Sequence, residues 1–159
     1  MAKPLIMVVD DEREVTNNLV EVINQTGKYE AIAAYSGKEA LALLDKNRQL
    51  MGVLGNKVKL ILLDIKMPEM DGLQFLERVR KEHDEDHIGV IMVTAYEDEE
   101  KWEKSTSGFV SGYVKKPIVK DDVLGALDRF FSQPDARYDM TLETFEKHIG
   151  KKEEFKKKK

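Results

Sequence analysis

The chain contains no cysteine. That excludes disulfides, thiol nucleophiles and cysteine-ligated zinc or iron–sulfur centres, and it suits a reducing compartment. Long apolar runs are missing too. The N-terminal run Leu5 to Val9 stops at Asp10 and Asp11, too short for a secretory signal core. The longest uncharged stretch, Ser105 to Val114, is half polar, so no membrane-spanning segment is expected. Nor is there an excess of positive charge. With 26 Lys+Arg against 30 Asp+Glu the net charge is −4, which argues against a broad nucleic-acid-binding surface. What remains is a 159-residue chain, 42% hydrophobic and 35% charged, ample for one buried core. The expectation is a single-domain, cytoplasmic protein with no membrane or nucleic-acid partner.

Five short apolar, β-branched runs recur: Leu5–Val9, Ala31–Ala34, Lys59–Leu63, Gly89–Val93 and Gly112–Lys115. Their hydrophobicity is continuous rather than alternating, as strands buried on both faces require. Between them the apolar spacing changes to three and four. Val15, Leu19, Val22 and Ile23 mark a first helix closed by Gly27. Ser36 and Glu39 form a capping box for a second, which carries Ala40, Leu41 and Leu44. Leu73, Leu76 and Val79 mark a third, the acidic stretch Asp98 to Ser105 a fourth, and Val123, Leu127 and Phe130 a fifth. Alternation of this kind predicts right-handed crossovers and a parallel α/β sheet with helices on both faces. The domain is expected over 1–132. Residues 133–159 read as a tail, with a short helix built on Leu142, Phe145 and Ile149 before a disordered basic end, KKEEFKKKK. The connection Asp45 to Lys59 is long. Its Leu50, Met51, Val53 and Leu54 suggest an extended helix or a folded-down loop.

Ligands of open parallel sheets bind beyond the carboxyl ends of the strands. Here those ends carry Asp10 and Asp11, Asp64, Thr94, and Lys115 and Lys116 before Pro117. Three carboxylates, a hydroxyl and an ammonium thus converge on one edge. Crowded carboxylates must share a proton or a cation, and an oxygen-only set suits Mg²⁺. A carboxylate not consumed as a metal ligand can attack phosphorus and form an acyl phosphate. A Lys and a Thr hydroxyl then serve the oxygens of the transferring group. Strand alternation sends Lys115 and Lys116 to opposite faces, and Lys116 is preferred because it abuts Pro117.

The motifs VVDDE, LLDIKMPEMDG, VTA and GYVKKP, in this order, resemble the receiver domain of two-component response regulators. The resemblance covers about Lys3 to Ser132. It implies a flavodoxin-like, doubly wound five-stranded sheet of order 2-1-3-4-5. It further implies that Asp64 accepts the phosphoryl group from a histidine kinase or phosphotransfer protein. Asp11 and Asp64 would bind Mg²⁺ directly, Asp10 through water, and the Lys66 backbone carbonyl would be a further ligand. Thr94 would be the switch hydroxyl, Tyr113 the switch aromatic, Lys116 the phosphate-contacting lysine, and the bond before Pro117 cis. The signal would emerge on the surface of the fourth helix, fifth strand and fifth helix. Lys66 and Tyr96, two residues after Asp64 and Thr94, would flank the approach of hydrolytic water. Such a domain phosphorylates and dephosphorylates itself but turns over no substrate, so it is not classed as an enzyme.

Plainer readings compete at several positions. Asp11 or Glu12 can cap the first helix, and Tyr113 can be an ordinary half-buried strand aromatic. His83 and His87 stand four apart, a chelating spacing on a helix, but their polar setting favours a solvated helix end. Trp102 reads as a partly exposed helix residue. Two rival functions stand beside the switch. A phosphatase of the haloacid-dehalogenase kind would need a second Asp where Lys66 stands. A phosphorylation-independent interaction module would have no use for the full acidic set. The 27 residues beyond Ser132 are too few for a DNA-binding output domain, so output is expected through protein contact or through domains outside this chain.

Overall fold

The structure is a computed structural model that describes residues 2–50, 53–83, 87–95, 110–132, 139–147 and 150. Five strands, β1 (Leu5–Val9), β2 (Glu30–Ala34), β3 (Val58–Asp64), β4 (Gly89–Thr94) and β5 (Gly112–Lys115), form one parallel sheet of order β2-β1-β3-β4-β5. The described helices are α1 (Arg13–Gln25), α2 (Gly37–Lys46), α3 (Gly72–Glu82), α4 (Lys120–Ser132) and α5, residues 139–147. The helix expected over Asp98 to Ser105, with Trp102, lies outside the described residues.

Period-two alternation divides each apolar run between two cores. Met7, Val9, Ile61, Leu63, Val90 and Met92 pack with α2 and α3 through Leu41, Leu44, Phe75 and Leu76. Ile6, Val8, Leu60, Leu62, Ile91 and Val93 pack with α1 and α4 through Leu19, Ile23, Val123 and Leu127. Continuous hydrophobicity was the right signal because both faces are covered.

Helix ends are fixed locally. Gly27, at φ +71°, follows α1, and its N–H bonds to the Asn24 carbonyl. Ser36 Oγ accepts the Glu39 N–H at 3.1 Å, whereas the Glu39 carboxylate accepts from Tyr35, one residue before the cap. Asp71 and Gln74 close a full capping box on α3 at 2.9 and 3.0 Å. Neither Asp11 nor Glu12 caps α1 with its side chain. Glu12 holds the cap position without a side-chain bond, and Asp10 Oδ1 accepts the Glu12 N–H at 3.0 Å.

Three expectations need correction. The 45–59 connection neither extends α2 nor folds down. It forms a hairpin whose foot is the Arg48–Asn56 antiparallel bridge, with Gln49 N–H donating to the Gly55 carbonyl at 2.9 Å. Leu50, Val53 and Leu54 are 67, 82 and 61% exposed, because this excursion reaches past the helix layer that would cover them. Met51 lies outside the described residues. The tail helix docks, but not by the expected stripe. Met140 and Thr144 are buried, while Leu142 and Phe145 face solvent, and Ile149 is outside the described residues. His83 does not sit on a solvated end. It is buried at the C-cap of α3, its Nε2 3.4 Å from Asp45 Oδ1, and His87 lies beyond the helix at φ +52°.

The first turn of α3 lies hard against the end of β3. A methyl group at Gly72 would stand 2.2 Å from the Asp64 carbonyl oxygen and 2.8 Å from Ile65 Cα. Both neighbours are backbone and cannot swing away. Gly125, inside α4, has nothing within 4 Å of the same position. Gly72→Ala should therefore destabilise by about 1–3 kcal/mol or more. Gly125→Ala should be neutral or stabilising by up to about 1 kcal/mol. Urea unfolding of both variants checks the pair.

Candidate functional site

In-register pairing brings the strand ends level. Val9 pairs with Ala34 and Leu63, Asp64 with Val93, and Thr94 with Lys115. Asp10, just past β1, and Asp64, the last residue of β3, therefore emerge side by side. Their side chains are only 5% and 4% exposed. Asp11 is more open, and one carboxylate oxygen from each of the three lies within 4.8 Å of the others. Thr94 ends β4 on the same edge; its side chain and all of Tyr96 lie outside the described residues. Tyr113, on β5, is half-buried against the α2/α3 core, and burial raises its phenol above the usual range.

Lys116 reaches back across this edge. Its Nζ lies 3.1 Å from Asp10 Oδ2, 3.3 Å from Asp64 Oδ1 and 3.8 Å from Glu12 Oε1. The Lys116–Pro117 bond is cis. Burial lowers the affinity of Lys116 for its proton, but the Asp64 and Asp10 carboxylates outweigh that and hold its pKa above the ordinary value. Asp64 is pushed up to about 7, first by burial and then by the Asp10 charge. Lys116 and a hydrogen bond from the Lys66 backbone pull against that rise. One ammonium does not neutralise three carboxylates. The arrangement retains surplus negative charge made of hard oxygen donors, and such a set fits a small divalent cation.

Further residues hold the site in place. Thr16 Oγ1 donates to the carbonyls of Asp10 at 2.8 Å and Glu12 at 2.9 Å, fixing the β1–α1 turn. Ile65 and Met67 are buried and anchor the loop after Asp64. Glu69 takes φ +67°, and Gly72 N–H closes the loop onto the Ile65 carbonyl at 2.7 Å. The exposed Lys66 stands on this loop. At the rim Arg13 lies 4.1 Å over the Tyr35 ring, whose hydroxyl donates to Asn17.

The family model described as the response regulator receiver domain matches residues 6–128. Sporulation initiation phosphotransferase F of Bacillus subtilis is 30% identical over 130 residues, 82% of this chain and 95% of that protein. The transcriptional regulatory protein CpxR of Klebsiella pneumoniae is 38% identical over 90 residues; these are 57% of this chain and only 33% of that longer regulator. The crystal structure of a response regulator receiver domain protein from Clostridium thermocellum superposes with a TM-score of 0.67 at 24% identity, covering 87% of this chain and 97% of that one. At that identity the superposition supports the fold alone.

The raised Asp64 pKa makes stability depend on pH. In the unfolded chain the group titrates near 3.8, in the folded protein near 7. The folded state therefore binds the extra proton between these values. The contribution of Asp64 is fully present below about pH 4 and is lost as pH rises through 7. Asp64→Asn should thus stabilise the metal-free protein, with a gain that grows from pH 4 to 7 and is flat above. Denaturant midpoints across that range check it, and a gain independent of pH would contradict the assignment.

Proposed function

The chain belongs to the response regulator receiver domain family, a family of phosphorylation-activated signalling switches, and on that premise we propose that Asp64 is its phosphoacceptor. The observation that carries the reading is the Asp10–Asp64–Lys116 cluster at the carboxyl edge of the sheet. A histidine kinase or phosphotransfer protein is the donor. An Asp64 oxygen attacks the phosphorus of the donor's phosphohistidine. The new P–O bond forms as the P–N bond breaks, and the imidazole nitrogen leaves with the electron pair. Ionised Asp64 is the nucleophile. Lys116, already 3.3 Å away, follows the phosphoryl oxygens. Asp10, Asp11, Asp64 and the Lys66 carbonyl would hold Mg²⁺, which when bound supplies the positive charge that the carboxylates and the incoming phosphoryl group lack. Thr94 and Tyr113 are the switch pair, and residues 1–132 are the receiver unit with 133–159 appended. Phosphorylation and its reversal are the chain's own chemistry, with no turnover substrate.

The approach of the donor is supported by a cleft of ≈ 420 Å³ between α1 and the β5–α4 junction. Val15, Leu19, Val22, Pro117 and Ile118 line it, with Glu12 and Lys116 at its rim. An amphipathic helix of the donor seated there would bring a phosphohistidine to Asp64. The cytoplasm is the proposed location. It is consistent with the lack of cysteine, and no described helix is long and apolar enough to cross a membrane.

Acetyl phosphate with Mg²⁺ should add one phosphoryl group, labile to hydroxylamine, and Asp64→Asn should take up none; intact mass decides. Divalent-metal binding should weaken strongly in Asp11→Ala and less in Asp10→Ala. The exposed Lys66 can lay its ammonium against the phosphoryl oxygens, and Tyr96, two after Thr94, can crowd out attacking water. The Lys66→Asn, Tyr96→Ala double variant should therefore lose phosphate about tenfold faster, roughly 1.4 kcal/mol of barrier. Equal decay of the two proteins would show that these side chains do not shield the phosphate.

A further inference from the structure

We propose that helix α5 is a phosphorylation-sensitive element whose docking is loosened, through strand β5, when Asp64 carries a phosphoryl group. The inference rests on the phosphoacceptor reading above and adds a responder to it. Strand β5 is short, pairs among the described residues with β4 alone, and joins two distant sites. Immediately past its carboxyl end, Lys116 bonds Asp10 and Asp64. Immediately before its amino end, buried Ser111 shares a 3.1 Å hydrogen bond with Thr141 of α5 and donates its N–H to the Val90 carbonyl at 2.7 Å. From Ser111 to Lys116 is five residues, about 17 Å of extended chain.

Three of the contacts that hold α5 bear on this. They are the Ser111–Thr141 bond, the 2.7 Å Arg129–Glu143 ion pair and the burial of Met140 in the α1/α4 core. The second is exposed and contributes little. Docking thus depends in part on where the start of β5 and the adjacent core stand. Phosphorylation moves the partner of Lys116 outward from the Asp64 carboxylate to the phosphoryl oxygens. Among the described strands β5 is the last of the sheet, paired on one side to β4, and it can follow Lys116. Ser111 directly precedes β5, so a shift of the strand is carried to its hydrogen bond with Thr141. The contacts of α5 fit β5 in its present position, and a displaced strand fits them less well. By linkage, a loosened α5 must in turn favour phosphorylation.

The test uses the full chain, with hydrogen exchange and intact mass followed together in acetyl phosphate and Mg²⁺. Phosphorylated protein should exchange the amides of 139–147 at least about fivefold faster, the lower end of usual coupling, while α2 is unchanged. Phosphorylated protein with unaltered exchange in 139–147 overturns the inference and leaves the phosphoacceptor reading standing. Failure to take up phosphate removes that reading, and the inference with it. The reciprocal arm uses Met140→Ser, and Glu143→Arg, which repels Arg129 without touching the core. At limiting acetyl phosphate Met140→Ser should raise the phosphorylated fraction, and Glu143→Arg should raise it by less. Wild-type levels in both variants overturn the proposal.

Discussion

Two carboxylates buried side by side, facing one ammonium, form the constraint from which the working edge of this protein follows. Asp10 and Asp64 cannot both be ionised in that setting without a counter-charge. Lys116 is held over them, yet it leaves negative charge uncompensated. A fold has little reason to keep such repulsion for stability, because an apolar replacement would relieve it. The surplus charge, made of hard oxygen donors, suits the site to a cation and, on the reading proposed above, to an electrophilic phosphorus. Everything around it serves to keep the carboxylates from separating: the Thr16 bonds to the β1–α1 turn, the buried Ile65 and Met67, and the Gly72 contact with the end of β3.

Strand polarity does the rest. With all five strands parallel, their carboxyl ends share one edge, and residues far apart in sequence meet without any long-range design beyond the sheet itself. Lys116 reaches Asp10 across 106 positions of sequence. The chemistry therefore needs only short motifs, each placed just after an apolar run.

This explains how much was legible in the sequence. The runs before Asp10, Asp64 and Thr94 gave sheet class and site edge together, since a strand buried on both faces cannot hide its pattern. The order β2-β1-β3-β4-β5 was not contained in periodicity and came from resemblance. The tail helix is present as expected, but its buried face, and the exposure of the 45–59 connection, differ from the sequence pattern for one reason. Leu50, Val53 and Leu54, and likewise Leu142 and Phe145, are apolar at suggestive spacing, but spacing does not say whether another element is there to cover them. For α5 the covered face is Met140 and Thr144, less apolar than the face it turns away. Thr16, whose hydroxyl bonds backbone carbonyls, and Gly72, whose lack of a side chain lets α3 approach β3, have roles that periodicity does not signal. At His83 the polar residues that follow in sequence give no sign that its own ring is buried beside Asp45.

The hairpin between α2 and β3 has a practical consequence. Its foot is tied by the Arg48–Asn56 bridge and by the Gln49–Gly55 and Lys57–Asn47 backbone bonds, while Leu50, Val53 and Leu54 beyond the foot are exposed. It leaves the sheet from the edge opposite Asp64. A peptide epitope or a fluorescent protein spliced between Val53 and Leu54 would have its ends held together by the foot, and added chain length there carries only a small entropic cost. The molecule thus offers an attachment point for an optical reporter that leaves both termini and the acidic edge unencumbered.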